Sequence, residues 1–168
     1  MKLRFSFPNL LALVAVALIV MGITRPWWSL TLFGNESDIY VHQIAGPLRE
    51  LLGYKRSPQM LLLTRILIGA AVLGVLGSVL RRWPGQVLIA LAGIIALLGV
   101  WRFLVRIADV AEGFNVPIQG HGIGDYGGFA KVEVSTRLRT GLYLTAAGGV
   151  VALLASLLHN LLQPRERR

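Results

Sequence analysis

Four long apolar runs, separated by more polar stretches, dominate the pattern of this chain. The first run, Phe5 to Thr24, contains twenty residues without a charge. A helix of that length is about 30 Å long, which is the thickness of a bilayer core. Three further runs cover residues 59–80, 86–107 and 138–162. The pattern predicts an integral membrane protein of the all-α class, a single domain over residues 1–168 built as an antiparallel four-helix bundle.

The first run also has the layout of a secretory signal peptide, since Lys2 and Arg4 precede an apolar core. It ends in residues 22–26 without an Ala-x-Ala-like cleavage site, and three more apolar runs follow it. We therefore interpret it as the first membrane span.

The two long connections between runs, residues 25–58 and 108–137, contain segments that alternate like β-strands. Gly34-Asn35 supplies a turn between the first two segments, so they are predicted to form a hairpin. Isolated hairpins are barely stable in water, and we therefore expect all the segments to form one small sheet shared by both connections. The four segments are Trp28–Phe33, Ile39–Gln43, Asn115–Gln119 and Lys131–Ser135.

The remainder of the first connection changes to helical spacing. Pro47–Gly53 places its leucines on one side and predicts a short amphipathic helix near the lipid surface. Ser57-Pro58 is a good helix start, because it offers an N-cap followed by proline at the first helical position. The second span is therefore predicted to begin at about Gln59.

The distribution of charge predicts the orientation in the membrane. The amino-terminal segment, the Arg81-Arg82 link and the carboxyl tail hold seven Lys and Arg and one acid, Glu166. By the positive-inside rule, both termini of this multi-pass cell-membrane protein are predicted to be cytoplasmic, and both long connections to be outer loops. The net charge of +9 is then a topology signal, and we expect no nucleic-acid partner. The other acids all lie in the two long connections: Glu36, Asp38, Glu50, Asp109, Glu112, Asp125 and Glu133.

Tryptophans are expected at both membrane interfaces, where their amphipathic rings sit at the level of the lipid headgroups. The charge-based topology places Trp83 at the inner interface and the pair Trp27-Trp28 at the outer one. We expect this pair to anchor the sheet, with one ring in the seam between loop and bundle.

The residue types that intramembrane chemistry requires are scarce in the apolar runs. The chain has no cysteine, which excludes disulfides, thiolate metal sites and thiol redox chemistry. No Asp or Glu lies within a run, so proton-coupled export has no obvious carboxylate. His159 is the one histidine in a run, and a single histidine cannot supply the axial pair of a haem. We expect no enzyme activity, no catalytic residue and no cofactor.

Small residues recur at intervals of four along the second and fourth spans. This spacing places each set on one helix face, where backbones approach closely in lipid. Two interpretations are open: packing within the bundle, and docking of a helix from another subunit. The sets are Ala70, Gly74 and Ser78 in the second span, and Gly141, Thr145 and Gly149 beside Gly148, Ala152 and Ser156 in the fourth.

Three arginines lie near the predicted outer ends of the second and third spans. Arg65 and Arg102 are each roughly one turn inside their spans, and Arg102, Arg106 and Asp109 share one helix face. One interpretation is snorkelling toward lipid phosphates with an Arg106–Asp109 pair. The alternative is an anion site beneath the loops for a lipid headgroup or a partner's carboxylate.

Two motifs in the connections point only weakly to ligands. Residues 122–127 fit the G-x-G-x-x-G pattern, which binds dinucleotides only between a strand and a helix start. Strand-like residues follow it here, so we interpret its glycines as turn residues. His42, His121 and Asp125 offer metal-ligand types, but nothing in the sequence orients them together, so we expect no metal site. Residues 35–37 match an N-glycosylation sequon.

The layout resembles the claudin/PMP-22-like group of four-helix membrane proteins. Pro26-Trp27-Trp28-Ser29-Leu30 is similar to that group's proline–tryptophan start of the first outer strand. Gly141-Leu142-Tyr143-Leu144 is similar to its small–aromatic–leucine opening of the fourth helix. The Gly-Leu-Trp and paired-cysteine signature of claudins is missing, so a junction or paracellular-pore role is not implied. The resemblance implies an outer β-sheet on a left-handed bundle and a scaffold or assembly role.

The sequence thus predicts a non-catalytic membrane scaffold or accessory subunit. It would act through its outer β-face and its small-residue helix faces, with membrane lipids and other membrane subunits or further copies of itself as partners. The alternative is a lipid- or amphiphile-binding protein that uses Arg65, Arg102 and Arg106.

Overall fold

The computed structural model describes residues 8–43, 58–80, 83–113, 115–126 and 130–162. Its helices are α1 (Leu10–Thr24), α2 (Pro58–Val79), α3 (Trp83–Gly113) and α4 (Thr140–Leu162). Its strands are β1 (Trp28–Leu32), β2 (Asn35–Ile39), β3 (Gly120–Tyr126) and β4 (Ala130–Leu138). The predicted amphipathic helix at residues 47–53 and the Ser57 cap lie outside the described residues.

The helices pack as a bundle in which each helix contacts two neighbours. α1 packs against α2 and α4, and α3 packs against the same two helices. Within the described residues, three helical segments are long and apolar enough to cross a membrane: Gln59–Val79, Trp83–Glu112 and Thr140–His159. The fourth apolar helix, α1, is shorter.

α1 begins later than the apolar run that predicted it. The side-chain Oδ1 of Asn9 accepts hydrogen bonds from the backbone N–H groups of Leu11 and Ala12, at 3.1 and 3.2 Å. Asn9 therefore caps the helix, and Pro8 before it is not helical. The helix starts at Leu10 instead of Phe5, and its fifteen residues span about 22 Å.

α3 and α4 also differ from their predicted limits. The buried positions Phe103, Ile107 and Ala111 continue the helical spacing beyond residue 107, so α3 runs on to Gly113. α4 begins at Thr140 because residue 138 still pairs within the sheet, opposite Trp28. The sheet thus sets the start of α4.

The two long connections fold into one antiparallel sheet with the strand order β2-β1-β4-β3. β1 comes from the connection between α1 and α2, and β4 comes from the connection between α3 and α4. They pair directly, with Leu30 opposite Thr136. This confirms the prediction that both connections share a sheet.

Two of the predicted strands are displaced along the chain. β2 occupies Asn35–Ile39, not Ile39–Gln43, because a two-residue turn at Phe33 and Gly34 pairs Leu32 with Asn35. Both turn residues have positive φ, 51° and 77°, as this tight hairpin turn requires. β3 occupies Gly120–Tyr126, not Asn115–Gln119, so Gly122 and Gly124, which were predicted to form turns, lie in a strand.

One face of the sheet is buried against the bundle. It belongs to the same apolar core as Phe103, Ile107 and Ala111, which lie in the last third of α3. The sheet therefore covers the end of the bundle at which α1 and α3 finish and α2 and α4 begin; we call this the sheet end. The buried face carries Trp28, Leu30, Ser37, Ile39, Val132, Val134 and Thr136.

Candidate functional site

The other face of the sheet points away from the helices, and we call it the exposed face. Its residues follow from the strand register, since side chains alternate between faces and paired residues lie side by side. One row joins Glu36, Thr31, Ser135 and His121. The face is mostly polar and has both signs of charge. Its residues are Ser29, Thr31, Glu36, Asp38, His121, Ile123, Glu133, Ser135 and Arg137.

Arg139 holds one side of the exposed face together. It follows β4, and its Nε donates a hydrogen bond of 2.9 Å to Ser29 Oγ on β1. Its guanidinium also pairs with the carboxylate of Glu36 on β2. Asp38 Oδ1 is shielded from solvent and lies 3.8 Å from Arg139 Nε, too far for a hydrogen bond but close enough for charge pairing. One arginine between β4 and α4 thus lies beside two acids of the first connection.

A shallow groove of about 720 Å³ runs across the exposed face. At its rim Phe33 is 77% exposed and Ile123 is 60% exposed. Phe33 has a φ of 51°, a left-handed conformation that is costly for an aromatic residue. The groove is lined by Thr31, Phe33, Gly34, His121, Gly122, Ile123, Val132, Glu133, Val134 and Ser135.

Trp27 and Trp28 join the sheet to the bundle from within. Both are buried, with 0% and 1% of their surface exposed. The Trp27 ring packs edge-on against Phe103 at 4.9 Å, and its Nε1 donates to the Gly22 carbonyl at 2.8 Å. Trp28 Nε1 donates to the Ile118 carbonyl at 2.8 Å. A headgroup anchor needs an exposed ring, so these rings differ from the expected aromatic belt and instead anchor the sheet to the helices.

The small residues of α4 lie against α1 and α3 of the same chain. A Cβ added at Gly148 would meet the Ala15 carbonyl oxygen at 2.9 Å, and one added at Gly149 would meet the Gly93 carbonyl oxygen at 3.2 Å. Residues only one position apart thus face different neighbours. The remaining members, Gly141, Thr145, Ala152 and Ser156, are also buried.

The small residues of α2 are buried as well. A Cβ added at Gly74 would meet the Val16 side chain on α1 at 2.6 Å and Ala92 on α3 at 3.7 Å. Ala70 and Ser78 have no exposed surface. The predicted small faces are therefore occupied by helices of this chain.

Arg65, Arg102 and Arg106 are all exposed on the bundle surface. A Cβ added at Gly99 would meet Leu67 at 2.9 Å and Leu63 at 3.4 Å, so Arg65 lies at the height of residues 99–102. The Arg106 Nη1 pairs with Asp109 Oδ2 at 3.9 Å. Because α3 extends to Gly113, Arg102 lies about three turns inside the helix end and not one.

α3 carries two exposed tryptophans, Trp83, which the charge-based topology assigned to the inner interface, and Trp101, which was not predicted to have a role. Trp83 is 69% exposed and Trp101 is 62% exposed. From residue 83 to residue 101 the helix makes five turns, so the two rings share one face about 27 Å apart. This separation approaches the thickness of a bilayer core. The spacing was readable from the sequence once both residues were assigned to one helix.

Buried polar side chains close the opposite end of the bundle. His159 Nε2 lies 3.0 Å from the Leu80 carbonyl and therefore donates to it, while His159 Nδ1 accepts from Asn9 Nδ2 at 3.2 Å. Asn9 Nδ2 also lies 3.3 Å from the Ala155 carbonyl, and the Asn9 N–H donates to the Ser78 carbonyl at 2.8 Å. The cluster joins α1, α2 and α4. Pro8-Asn9 before an apolar run was a readable N-cap signal, but its contact with His159 was not.

The weak ligand motifs are not assembled into sites. Residues 122–126 of the G-x-G-x-x-G pattern lie within β3 and do not connect a strand to a helix. His121 is exposed on β3, and the ring of His42 lies 5.5 Å from that of Tyr40. Within the described part of the chain, no three His, Cys, Asp or Glu residues are grouped to hold a metal ion.

Comparison with known proteins gives no relative from which a role could be transferred. No protein-family model matches the chain, and no curated protein matches it. The functional assignment therefore depends on the geometry of the chain itself.

Proposed function

We propose that this chain is a non-catalytic integral membrane subunit that binds partner proteins through the sheet. The observation that carries this proposal is the pairing of β1 with β4, which turns two separate connections into one rigid platform at one end of an apolar bundle. A platform of this kind presents a fixed polar surface and two strand edges. The sheet on a four-helix bundle is also the layout implied by the claudin/PMP-22-like resemblance.

The exposed tryptophans support placement in a membrane. Trp83 and Trp101 would mark the two interfaces on α3, and the exposed ring of Tyr143 on α4 would join Trp101 at the sheet end. With this placement the last turns of α3 project beyond the bilayer and carry the sheet. Combined with the positive-inside rule, this placement supports a topology with both termini in the cytoplasm and the sheet outside the cell.

Cysteine labelling tests this placement without background, because the native chain has no cysteine. Asn35→Cys on β2 is exposed, and we expect it to react with an impermeant thiol reagent in intact cells. Trp83→Cys is also exposed in the folded chain but is expected to react only after the cells are opened. The reverse pattern would invert the proposed topology.

The sheet is a better candidate for partner binding than the helix faces. The small-residue faces are covered by the chain's own helices, as the contacts of Gly74, Gly148 and Gly149 indicate. The exposed face, in contrast, combines charged groups with the exposed side chains of Phe33 and Ile123. Exposed aromatic and branched apolar side chains in a polar rim are typical of protein interfaces.

Native mass spectrometry of the full chain from mild detergent tests the proposed role. We expect wild-type protein to retain a protein partner in a fixed stoichiometry. Phe33→Ser with Ile123→Ser should reduce that retention, whereas Leu98→Ser, at a similarly exposed position on α3, should not. Loss of the partner with Leu98→Ser alone would place the interface on the bundle and contradict the proposal.

A second candidate is recognition of an anionic lipid headgroup by Arg65, Arg102 and Arg106. The observation that favours it is their common exposure near Trp101, at the level proposed for the headgroups. Lipid phosphates bind guanidinium groups through charge-assisted hydrogen bonds. A variant with all three arginines changed to glutamine should lose a co-purified anionic lipid that wild type retains. Equal lipid retention by both proteins would contradict this candidate.

A further inference from the structure

The polar cluster at the end of the bundle opposite the sheet has hydrogen bonds that fit one protonation state of His159. Its Nε2 lies 3.0 Å from the Leu80 carbonyl oxygen, which can only accept, so Nε2 carries a proton. Its Nδ1 lies 3.2 Å from Asn9 Nδ2, which can only donate, so Nδ1 carries none. The imidazole ring therefore bonds to both neighbours as the neutral Nε2–H form.

The amide of Asn9 cannot turn to suit a charged imidazole ring without losing other bonds. Its Oδ1 accepts from the backbone N–H groups of Leu11 and Ala12, and its Nδ2 lies 3.3 Å from the Ala155 carbonyl oxygen. A proton on His159 Nδ1 would face the Asn9 NH2 group, donor against donor. Turning the amide over would give Nδ1 an acceptor, but it would leave two N–H groups of α1 without their cap.

The surroundings of the imidazole ring are buried and uncharged in the described part of the chain. His159 has no exposed surface, and Asn9 is 4% exposed. On α3 the nearest described neighbour is Gly85, where an added Cβ would meet His159 Nε2 at 2.7 Å. The charged side chains that the structure describes lie at the sheet end or in the adjoining halves of α2 and α3. The amino-terminal segment, the Arg81-Arg82 link and the carboxyl tail lie outside the described residues. Within the described residues, no carboxylate faces a charged ring at this position.

We infer that this cluster is a pH-sensitive latch, in which a second proton on His159 releases the start of α1 from α4. The released segment is short, because Gly148 keeps the middle of α1 close to α4, where an added Cβ would meet the Ala15 carbonyl oxygen at 2.9 Å. The latch goes beyond the proposed binding role of the sheet, since it lies at the other end of the bundle and needs no partner. Under the proposed topology it would respond to the pH of the cytoplasm.

The direction of the pH effect follows from which state takes up the proton. In the closed latch Nδ1 is occupied as an acceptor, whereas in the released state the ring is free to take up a proton. The pKa of a free histidine is about 6.5, so both states are neutral well above this pH, and acid favours the released state below it. The released population should therefore be about tenfold larger at about pH 5.5 than at about pH 7.5.

Hydrogen exchange of the full chain in detergent, followed by NMR, tests the latch at the N–H groups of Leu11 and Ala12, which Asn9 caps. Wild type is compared with His159→Gln at each pH, so that the pH dependence of the exchange chemistry itself cancels. Because glutamine cannot be charged, the ratio of the wild-type rate to the variant rate should rise about tenfold between about pH 7.5 and about pH 5.5. His121→Ala, which removes an exposed histidine of the sheet, is the control and should respond like wild type.

Asn9→Asp tests the same latch while leaving His159 in place, so the test remains decisive if His159→Gln disturbs the closed cluster. Aspartate caps helices as asparagine does, and its second carboxylate oxygen would accept a hydrogen bond from a charged imidazole ring. The acid-induced increase in exchange should therefore disappear in this variant. An increase that persists in His159→Gln or in Asn9→Asp, or that is absent from wild type, would overturn the inference.

Discussion

The two ends of the bundle are built in opposite ways. At the sheet end, polar side chains such as Glu36 and Arg139 lie on a face that is accessible within the described residues, with a groove across it. At the opposite end, Asn9 and His159 are buried and their hydrogen bonds run inward to helix carbonyls. Buried polar groups that are fully bonded fix one arrangement of helices. The difference agrees with the proposal that the opposite end holds the bundle closed while the sheet end binds partner proteins.

Trp28→Ala, a change at the sheet end, is expected to cause the largest loss of stability. It removes a buried indole that packs under the sheet and bonds to the Ile118 carbonyl, and such truncations cost about 3–5 kcal/mol. Because β1 pairs with β4, we expect faster hydrogen exchange in both residues 28–43 and 130–138. Faster exchange confined to residues 28–43 would mean that the two connections are not one folding unit.

Gly141→Leu tests the junction between sheet and bundle. A Cβ at this position would meet the carbonyl oxygens of Arg25 and Pro26 at 2.5 and 2.7 Å, and neither backbone group can move aside cheaply. We expect a loss of about 3 kcal/mol, seen as a lower melting temperature in detergent. Gly69→Leu is the matched control, because a Cβ there meets nothing within 4 Å. Similar melting temperatures for the two variants would contradict the packing of α4 against residues 25–27.

His159→Ala tests the opposite end. It removes the hydrogen bonds to Leu80 and Asn9 from a buried site, and the expected cost is about 1–3 kcal/mol. His121→Ala removes an exposed histidine of the sheet and should leave the melting temperature unchanged. If His121→Ala lowers the melting temperature more than His159→Ala does, the proposal that one end stabilises the bundle and the other binds partners is wrong.

Arg139→Met is expected to have the smallest effect on stability. Its ion pairs with Glu36 and Asp38 are partly exposed, so their loss should cost no more than about 1 kcal/mol. The β1–β2 hairpin should nevertheless exchange hydrogen faster, because its two acids lose their common partner. Arg137→Met, on the same face and exposed, is the control and should leave hairpin exchange unchanged. If the hairpin exchanges hydrogen at the same rate in Arg139→Met and Arg137→Met, Arg139 does not stabilise the β1–β2 hairpin.

The elements whose side chains carry a clear pattern were predictable from the sequence. The four helices follow from long apolar runs, and Trp28–Leu32 follows from strict alternation. β3 was missed because three of its residues on one face, Gly120, Gly122 and Gly124, have no side chains to alternate. Its strand conformation comes from pairing with β4, which is a tertiary effect.

The candidate site was predictable only in outline. The acids in the two long connections and the Trp27-Trp28 pair were visible in the sequence. The role of Arg139 depends on a strand register that brings it beside Ser29, 110 residues away in the chain. The contact of Asn9 with His159 joins residues 150 apart. Such contacts carry no local signal, because they arise only when the whole bundle has closed.

Site-specific photo-cross-linking in cells tests most directly the claim that the sheet end is the binding surface. A photoreactive residue would replace Thr31 or Glu133 on the exposed face, Leu98 on the helix surface, or Trp83 at the opposite end. We expect defined protein adducts from the two sheet positions and none from Leu98 or Trp83. Adducts from Leu98 or Trp83, with none from Thr31 and Glu133, would contradict the account.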